Sequence, residues 1–545
     1  MAKWYRPVER DQGFLLPPDM REWLPGDHPV WLVIAVVAGH LDTSAFHAGR
    51  KTGGRGTAGY DPDMLVTVLV WAYAHGVTSS REIERLCGTD VAFRVICGGN
   101  VPDHVTFARF RGEFPAAVAG FFAQVLVLCA RLGMGRLGTV ALDGMKIAAS
   151  ASKGANRTEA GLRKLAGAAV AAHAAADAAE DELFGEGRRG DEVPPEVWQP
   201  GSRDQRIRAA LAGLEAERKA AERAEQAKAE AFRERQRSGR RTGPPPASAA
   251  VQLAEENLAR VRAARAARLA ELQERYAAGQ PRRGRPAGID DHCRVKEAEA
   301  KLEATRARAA ETQRKAAGRE ANRKGPGPVR NITDPDSRLM PVRGGGFIQG
   351  YNTQNMTSED GLIIATELTG EQADCPSFKP MLAKGQQAAT LITAHRPASG
   401  QDGGSQDQDG TGLILADAGY CSEASMTCPG PDRLIAVGKG RDLEKAARDP
   451  AAGGGPDWGG PAIQAMRERL KTPAGIAAYR HRGHIAETPH GHIKHNMGIR
   501  QLSVRGKRKA SAEWTFTAAV HNLFKAISAG QLTSQALNAL AATPA

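Results

Sequence analysis

The stretches Thr139-Val-Ala-Leu-Asp143-Gly144 and Leu413-Ile-Leu-Ala-Asp417-Ala-Gly419 decide the fold, because each is a short apolar run that ends on an aspartate. A continuous apolar run of this length predicts a β-strand that is buried on both faces. A carboxylate at the end of such a strand lies at the edge of the sheet, where ligands bind in open α/β folds. We therefore expect Asp143 and Asp417 to face a ligand, together with the later acidic residue Glu487.

The size and charge of the chain indicate how many domains it has and what kind of partner it binds. Its 545 residues exceed what one ordinary core requires, so we expect two or three domains. Lys and Arg total 74 against 61 for Asp and Glu, which gives a net charge of +13 and favours a polyanionic partner. Since no apolar run reaches the roughly 18–20 residues that span a bilayer, and the N-terminus lacks an apolar signal core, we expect a cytoplasmic protein with no membrane partner.

Cysteine and histidine patterns argue against a zinc protein. The seven cysteines are scattered and form no Cys-x-x-Cys pair, so neither a zinc ribbon nor a disulfide framework is indicated. Five histidines surround Glu487, but their spacing matches no closed zinc site, and neighbouring Arg and Lys residues oppose a cation. We favour a surface that faces DNA for these histidines. They are His481, His484, His490, His492 and His495.

Composition divides the chain into four parts. Apolar spacing and capping residues predict helices in residues 1–130, as either a helix-turn-helix or a plain helical bundle. Residues 131–150 and 331–530 alternate strand-like and helical segments, which predicts an α/β fold. Residues 151–330 are rich in Ala, Glu and Arg, which predicts long, solvated helices inserted into that fold. Residues 531–545 are expected to form a C-terminal tail.

Several motifs occur in a characteristic order along the chain. They are Thr333-Asp-Pro-Asp-Ser-Arg338, Gly346-Phe-Ile-Gln-Gly-Tyr-Asn352, Leu415-Ala-Asp417-Ala-Gly-Tyr420, Glu487 with Lys494, and Val520-His-Asn-Leu-Phe-Lys525. Their order and spacing resemble the DDE transposases of bacterial insertion sequences, whose catalytic domain has a ribonuclease-H-like fold. The N-terminal stretches around Tyr60, Ser80 and Val101 resemble the helical domain that precedes the catalytic domain in that family.

The resemblance implies that Asp143, Asp417 and Glu487 are the catalytic residues and the metal ligands. Three carboxylates placed close together repel one another unless cations neutralise their charge. The resemblance implies two Mg²⁺ ions, with Mn²⁺ as an alternative, and Mg²⁺ prefers the oxygen ligands that such a site offers. The same comparison makes residues 151–330 an insertion into the ribonuclease-H-like domain.

Basic residues near Glu487 are expected to contact DNA phosphate. By resemblance, Lys494 lies at the family's spacing from Glu487, whereas Arg482 lies one residue further from Glu487 than the family register. Both are expected to contact phosphates near the scissile bond. Phosphate contacts of this kind supply affinity and not sequence recognition. The basic surface is expected to continue through Arg500, Arg505 and Lys507.

The function implied is that of a DNA transposase, which cleaves phosphodiester bonds and joins 3′-hydroxyl ends to target DNA. Its expected partner is double-stranded DNA, both the inverted-repeat ends of its element and the target, and we expect a homodimer on DNA. In the cell, it is expected in the cytoplasm, associated with the nucleoid when it is on DNA. Three alternatives stay open: a catalytically silent DNA-binding remnant or regulator, a helical scaffold dominated by residues 151–330, and a nuclease without strand transfer.

Overall fold

The structure is a computed structural model of the chain. It divides into two compact units, which are described separately: a first unit of residues 1–155 with 333–545, and a second unit of residues 156–332. The residues described are 19–48, 59–168, 171, 203–238, 246, 249–279, 286–321, 329–342, 344–397, 410–438 and 459–542.

The structure is mostly helical, with a mixed sheet in the first unit. Its strands, in chain order, are β1 (Thr139–Ala148), β2 (Asn156–Thr158), β3 (Val329–Asn331), β4 (Arg338–Pro341), β5 (Phe347–Ser358), β6 (Ile363–Thr369), β7 (Leu413–Ala416) and β8 (Asp432–Ile435). The sheet of the first unit has the order β4-β5-β1-β7-β8, and β6 also pairs with β5. Strand β5 pairs antiparallel with β4, β6 and β1. On its other side β1 pairs parallel with β7, and β7 pairs parallel with β8.

The parallel pairing of β1 with β7 fixes the positions of the two aspartates. Leu142 and Ala416 are the last register pair between these strands. Asp143 and Asp417 each follow directly, so they lie side by side at the carboxyl edge of β7. The apolar residues before them are buried, as expected for strands that are covered on both faces.

Helices make up the rest of the first unit. One helix, Pro473–Gly491, lies over β1 and β5 and is called the site helix. A second, Lys507–Ser528, packs on Pro115–Arg131 and on β6 and is called the core helix. The other helices of four or more residues are Pro29–Gly39, Ser44–His47, Pro62–Ala74, Ser80–Thr89, Val91–Cys97, His104–Glu113, Phe378–His395, Glu423–Thr427, Pro461–Lys471, the π-helix His492–Asn496, and Ser534–Ala542.

Local sequence explains where these helices begin. Asp61 and Asp103 accept hydrogen bonds from backbone N–H groups in the first turns of their helices. The hydroxyl of Thr472 does the same for the site helix, by accepting from the N–H of Gly475 at 3.0 Å. Such caps satisfy N–H groups that have no partner within the helix.

The C-terminal segment, residues 531–545, was expected to form a tail, and it includes the helix Ser534–Ala542. In this helix Leu537 is buried and Leu540 packs against the same core. Apolar residues spaced three apart place both side chains on one helix face.

No single helix in the described part of the chain is both long and apolar enough to cross a membrane. The helices His104–Glu113 and Pro115–Arg131 satisfy the length and composition test only when they are taken together, and the chain bends by 80° between them.

The second unit consists of long, mostly exposed helices and a short ladder between β2 and β3. Its long helices are Arg203–Arg237, Ala250–Ala277 and Cys293–Ala321. The last two pack on one another, and the ion pairs Arg262–Glu299 and Arg306–Glu255, each at 2.6 Å, join them. Residues 239–246 and 280–288 are rich in Gly, Pro and Arg, which predicts loops, and they lie largely outside the described residues.

Asn522 ties the core helix to β6. Its side chain is fully buried, accepts from the N–H of Ile363 and donates to the C=O of Ile363, both at 2.8 Å. Leucine has a similar volume but makes neither hydrogen bond, so Asn522→Leu leaves two buried backbone groups unsatisfied. Each such group costs about 1–3 kcal/mol.

We therefore expect Asn522→Leu to lower the free energy of unfolding by about 2–4 kcal/mol in urea titrations followed by circular dichroism. The control is Ser528→Ala, at an exposed position on the same helix, which should change stability by less than about 0.5 kcal/mol. Equal midpoints for the two variants would show that Asn522 does not hold the helix to the strand.

Candidate active site

Asp143 is a largely buried carboxylate that is held by charged and polar groups. Its Oδ1 accepts from the N–H of Gly144 at 3.0 Å and from the Arg482 guanidinium at 2.9 Å. Its Oδ2 lies 3.7 Å from Nδ1 of His490, and its side chain is 14% exposed. Two side chains of the site helix therefore approach Asp143, one at each oxygen.

Asp417 shares Arg482 with Asp143. The same guanidinium nitrogen that contacts Asp143 lies 3.9 Å from Oδ2 of Asp417, so the two carboxylates converge on one cation. Asp417 also caps a short 3₁₀ turn by accepting from the N–H of Gly419 at 2.9 Å. With 38% of its side chain exposed, Asp417 forms the open side of the site.

Glu487 lies on the same helix as Arg482 and is exposed. Its negative charge acts on both Asp143 and Arg482, which places it in the same neighbourhood. In the described part of the chain, however, its carboxylate joins no ion pair within 4 Å. The three predicted acids thus lie in one neighbourhood, and Arg482 is within 4 Å of the two aspartates.

The electrostatics of this cluster favour the binding of a cation. Burial raises the pKa of Asp143, with the charges of Asp374 and Glu487 adding to the rise and Arg482 opposing it. Burial likewise raises the pKa of Asp417, where the charge of Asp143 adds and Arg482 again opposes. Carboxylates whose ionised forms are disfavoured in this way are stabilised by a nearby positive ion.

A fourth carboxylate, Asp374, belongs to the cluster and was missed by the sequence analysis. Its Oδ1 accepts from Asn352 at 2.7 Å, Gln354 at 2.8 Å and Lys146 at 3.1 Å. Its charge acts on both Asp143 and Asp417. The signal available in the sequence was the run of four polar residues from Asn352 to Asn355, all of which are buried in β5.

Two glycines allow Asp374 to approach the aspartates. A Cβ atom at position 144 would lie 2.5 Å from Oδ1 of Asp374, and one at position 419 would lie 2.9 Å from its Oδ2 and 3.0 Å from Oδ1 of Asp417. Any side chain at either position would displace a carboxylate. These glycines therefore serve the packing of the acidic cluster.

The predicted basic residues lie on the segment that follows the site helix. Lys494 is half-buried within the π-helix His492–Asn496, and burial lowers its pKa. Single π-helical turns are frequent at functional sites, because they redirect side chains. Arg500, Arg505 and Lys507 are exposed. Arg482, which was expected at a phosphate, contacts Asp143, and its contact with DNA stays a prediction.

Glu513, another acidic residue in the C-terminal half of the chain, has a structural role. It is buried, accepts from the Tyr73 hydroxyl at 2.7 Å and accepts from the backbone N–H groups of Ser503 at 2.8 Å and Val504 at 3.2 Å. Its oxygens are thus occupied by bonds that join the core helix to an N-terminal helix and to the loop before it.

Another group of side chains meets a stricter geometric test for a metal site. The donor atoms of His47, Asp61 and Asp63 lie within 4.8 Å of one another, and no other group of three in the described residues does so. His47 already contacts Asp63 at 2.8 Å. The candidate acids do not meet this spacing, and the Arg482 guanidinium lies within 4 Å of both Asp143 and Asp417.

Comparison with known protein families gives two matches. Residues 18–113 match the Transposase domain (DUF772), and residues 460–527 match the Transposase DDE domain. Both matches are to transposase domains, and together they are consistent with a transposase of the DDE group. No curated protein and no solved structure matches it significantly.

The match to the DDE domain covers the site helix and the core helix. It includes Arg482, Glu487 and Lys494 but neither Asp143 nor Asp417, so the roles of the two aspartates depend on their geometry. The DDE domain implies a requirement for a divalent metal, and DNA is the partner of a transposase. A transposase function is thus supported by both ends of the chain.

The position of Arg482 predicts the direction in which its removal changes the affinity for a divalent ion. A divalent ion bound by Asp143 and Asp417 is repelled by the guanidinium and competes with it for the same oxygens. Two unit charges about 4 Å apart near a protein surface interact with roughly 1–4 kcal/mol. Arg482→Gln should therefore tighten Mn²⁺ binding by about tenfold or more, measured by isothermal titration calorimetry.

Arg480→Gln is the matched control, because Arg480 is an exposed arginine on the same helix. It removes the same charge and should leave Mn²⁺ affinity nearly unchanged. Weaker binding by Arg482→Gln would mean that the arginine orients the ligands more than it competes with the ion.

Proposed function

We propose that the chain is a DNA transposase which binds the ends of its element, cleaves phosphodiester bonds and transfers the 3′-hydroxyl ends to target DNA. The observation that carries the proposal is the convergence of Asp143 and Asp417 on Arg482, beside Glu487 and within reach of the matched DDE domain. Acidic residues at the carboxyl edge of a parallel strand pair, in a chain of net charge +13, suit chemistry on a polyanion.

The fold proposed for this catalytic unit is ribonuclease-H-like. Support comes from the strand order, in which three antiparallel strands, β6, β5 and β1, continue into the parallel strands β7 and β8. In the sequence, the second unit begins after β1 and ends before β4, as expected for an insertion into the catalytic fold. The helices of residues 19–131 are proposed as the segment that contributes to end recognition.

The donor chemistry of the cluster fits hard divalent cations. We propose that Asp143, Asp417 and Glu487 hold two Mg²⁺ ions, with Mn²⁺ as an alternative. Support comes from the carboxylate oxygens of the cluster, which are the ligands that Mg²⁺ prefers. When bound, such ions lower the pKa of the attacking water or 3′-hydroxyl and stabilise the leaving oxygen.

The chain's own residues position the reacting groups. The backbone N–H groups of Gly144 and Gly419 orient one oxygen of each aspartate. Tyr479 donates its hydroxyl to the C=O of Ala416 at 3.1 Å, which fixes the site helix beside the strand that ends at Asp417. Lys494 is proposed to contact a phosphate near the scissile bond as a point charge.

A surface of basic residues extends the proposed DNA contact. Arg505 donates through Nε to the C=O of Ser150 at 3.0 Å, and Arg500 donates through Nε to the C=O of Lys494 at 3.3 Å. Both guanidinium groups are anchored by one nitrogen, and both residues are exposed. With Lys507, they are proposed to contact the DNA backbone.

We also propose a homodimer on DNA, because synapsis brings two ends together.

The main alternative is a DNA-binding remnant that no longer catalyses transfer. We expect Asp417→Asn and Glu487→Gln to lose strand transfer by roughly a thousandfold, because loss of a metal ligand removes several kcal/mol of transition-state stabilisation. Binding to an end fragment, taken from the DNA that flanks the gene, should survive in gel-shift assays. The measurement is the rate of 3′-end joining in Mg²⁺ or Mn²⁺.

Glu468→Gln serves as the control for these variants. Glu468 is an exposed acid on the neighbouring helix Pro461–Lys471, so its loss should leave the joining rate unchanged. A wild-type chain that binds the ends but joins none would support the remnant, and full activity of Asp417→Asn would exclude the proposed site.

A further inference from the structure

A row of polar side chains crosses the sheet beneath the site helix. Asp143 on β1 lies directly opposite Asn355 on β5, and Asn355 lies directly opposite Thr366 on β6. Directly opposed residues point to the same face of a sheet. His490 of the site helix and Trp514 of the core helix contact this row from above.

Trp514 determines which way the amide of Asn355 points. The indole Nε1–H is a donor only, and it lies 3.2 Å from Oδ1 of Asn355 and 2.8 Å from Oγ1 of Thr366. Since Thr366 accepts from the indole, its hydroxyl proton is available for Oδ1 of Asn355 at 2.6 Å. Two donors thus face Oδ1, and the opposite amide orientation would direct an N–H group at the indole N–H. Trp514 and Asn355 are fully buried, so water does not relieve such a clash.

Asn355 in turn determines the tautomer of His490. Its Nδ2 group lies 3.0 Å from Nε2 of His490 and can only donate. Nε2 must therefore accept, which means that it carries no proton. An imidazolium would direct a second N–H at the amide, so this contact selects the neutral ring with its proton on Nδ1.

The protonated nitrogen faces a proposed metal ligand. Nδ1 of His490 lies 3.7 Å from Oδ2 of Asp143, and the two side chains are 11% and 14% exposed. This separation exceeds a hydrogen bond, but contacts in active sites commonly shorten in the reacting complex. Arg482 holds the other oxygen of Asp143 from the same helix. The carboxylate therefore lies between two donors of the site helix.

We propose that His490 is a positioning residue, whose Nδ1–H group orients the Asp143 carboxylate and whose tautomer is set by Trp514 through Asn355. This proposal rests on the proposed function, since Asp143 is taken to be a metal ligand. Groups that hydrogen-bond to a metal ligand fix its orientation, and their loss typically costs about 10–100-fold in metal affinity. The contacts from Trp514 through Asn355 to His490 thus place part of the control over metal affinity in the buried interface between the sheet and the core helix.

The first test reads the tautomer directly. In the full-length protein labelled with ¹⁵N-histidine, without DNA or metal, long-range ¹H–¹⁵N spectra report which ring nitrogen of His490 carries the proton. The His490→Phe variant assigns the signal by its disappearance. We expect a protonated Nδ1 in the wild type and a mixture of tautomers in Trp514→Phe, which removes only the indole donor. A ring protonated on Nε2 would overturn the proposal, whether or not the chain transposes DNA.

The second test measures Mn²⁺ affinity by calorimetry. His490→Phe keeps the ring volume and should weaken binding by about tenfold, and His490→Gln, which retains a donor, should restore part of the loss. Trp31→Phe is the control for Trp514→Phe, because it removes an indole donor that bonds to Pro25 instead. Thermal melts confirm that each variant is folded. Unchanged Mn²⁺ affinity in a folded His490→Phe protein would overturn the proposal.

Discussion

The pairing of two parallel strands is the constraint on which the site depends. Because β1 and β7 run parallel and end their shared register at Leu142 and Ala416, the next residue of each strand is an aspartate at the same edge. This arrangement brings two like charges together, and burial raises the pKa of both. The rest of the first unit can be understood as the means by which positive charge and donors offset that repulsion.

Two helices supply most of these contacts. The site helix places Arg482 between the aspartates and brings Glu487 and His490 to the same region. The core helix does not touch the aspartates, yet Trp514 and Asn522 attach it to the strands that support them. Asp374 adds a fourth negative charge, held by Asn352, Gln354 and Lys146. The acidic cluster and the contacts that attach the core helix to the sheet therefore lie on neighbouring strands.

Sequence reasoning located the parts of the site that depend on local pattern. A short apolar run that ends on an aspartate predicts a buried strand with a carboxylate at its end. Both strands are present and Asp417 directly follows β7, but β1 continues to Ala148, so Asp143 lies within its strand, just beyond the last pair with β7. The neighbouring positions of Asp143 and Asp417 followed from the family resemblance, since nothing in either run specifies its partner. The hairpin of β5 and β6 is likewise a local pattern, because strand-like runs beginning at Gly346 and Gly361 flank the turn sequence Thr357-Ser-Glu-Asp-Gly361.

Features that arise from tertiary contacts could not be predicted. Asp374 lies in a short segment after β6 that has no signature of its own. The polar run in β5 indicates a buried polar site but not which residue completes it, and that follows from the three donors that converge on Asp374. His490 was one of five histidines, and the sequence does not show which of them faces a carboxylate. The expected phosphate contact of Arg482 took no account of its proximity to Asp143, which depends on how the site helix crosses the sheet. The composition of the second unit likewise does not indicate what role that unit has.

The most direct test is an anomalous-scattering map from crystals of the full-length protein grown with Mn²⁺. The account predicts a peak within coordination distance of carboxylate oxygens from both Asp143 and Asp417. A map whose only peak lies at His47, Asp61 and Asp63, with none beside Asp143 and Asp417, would contradict it.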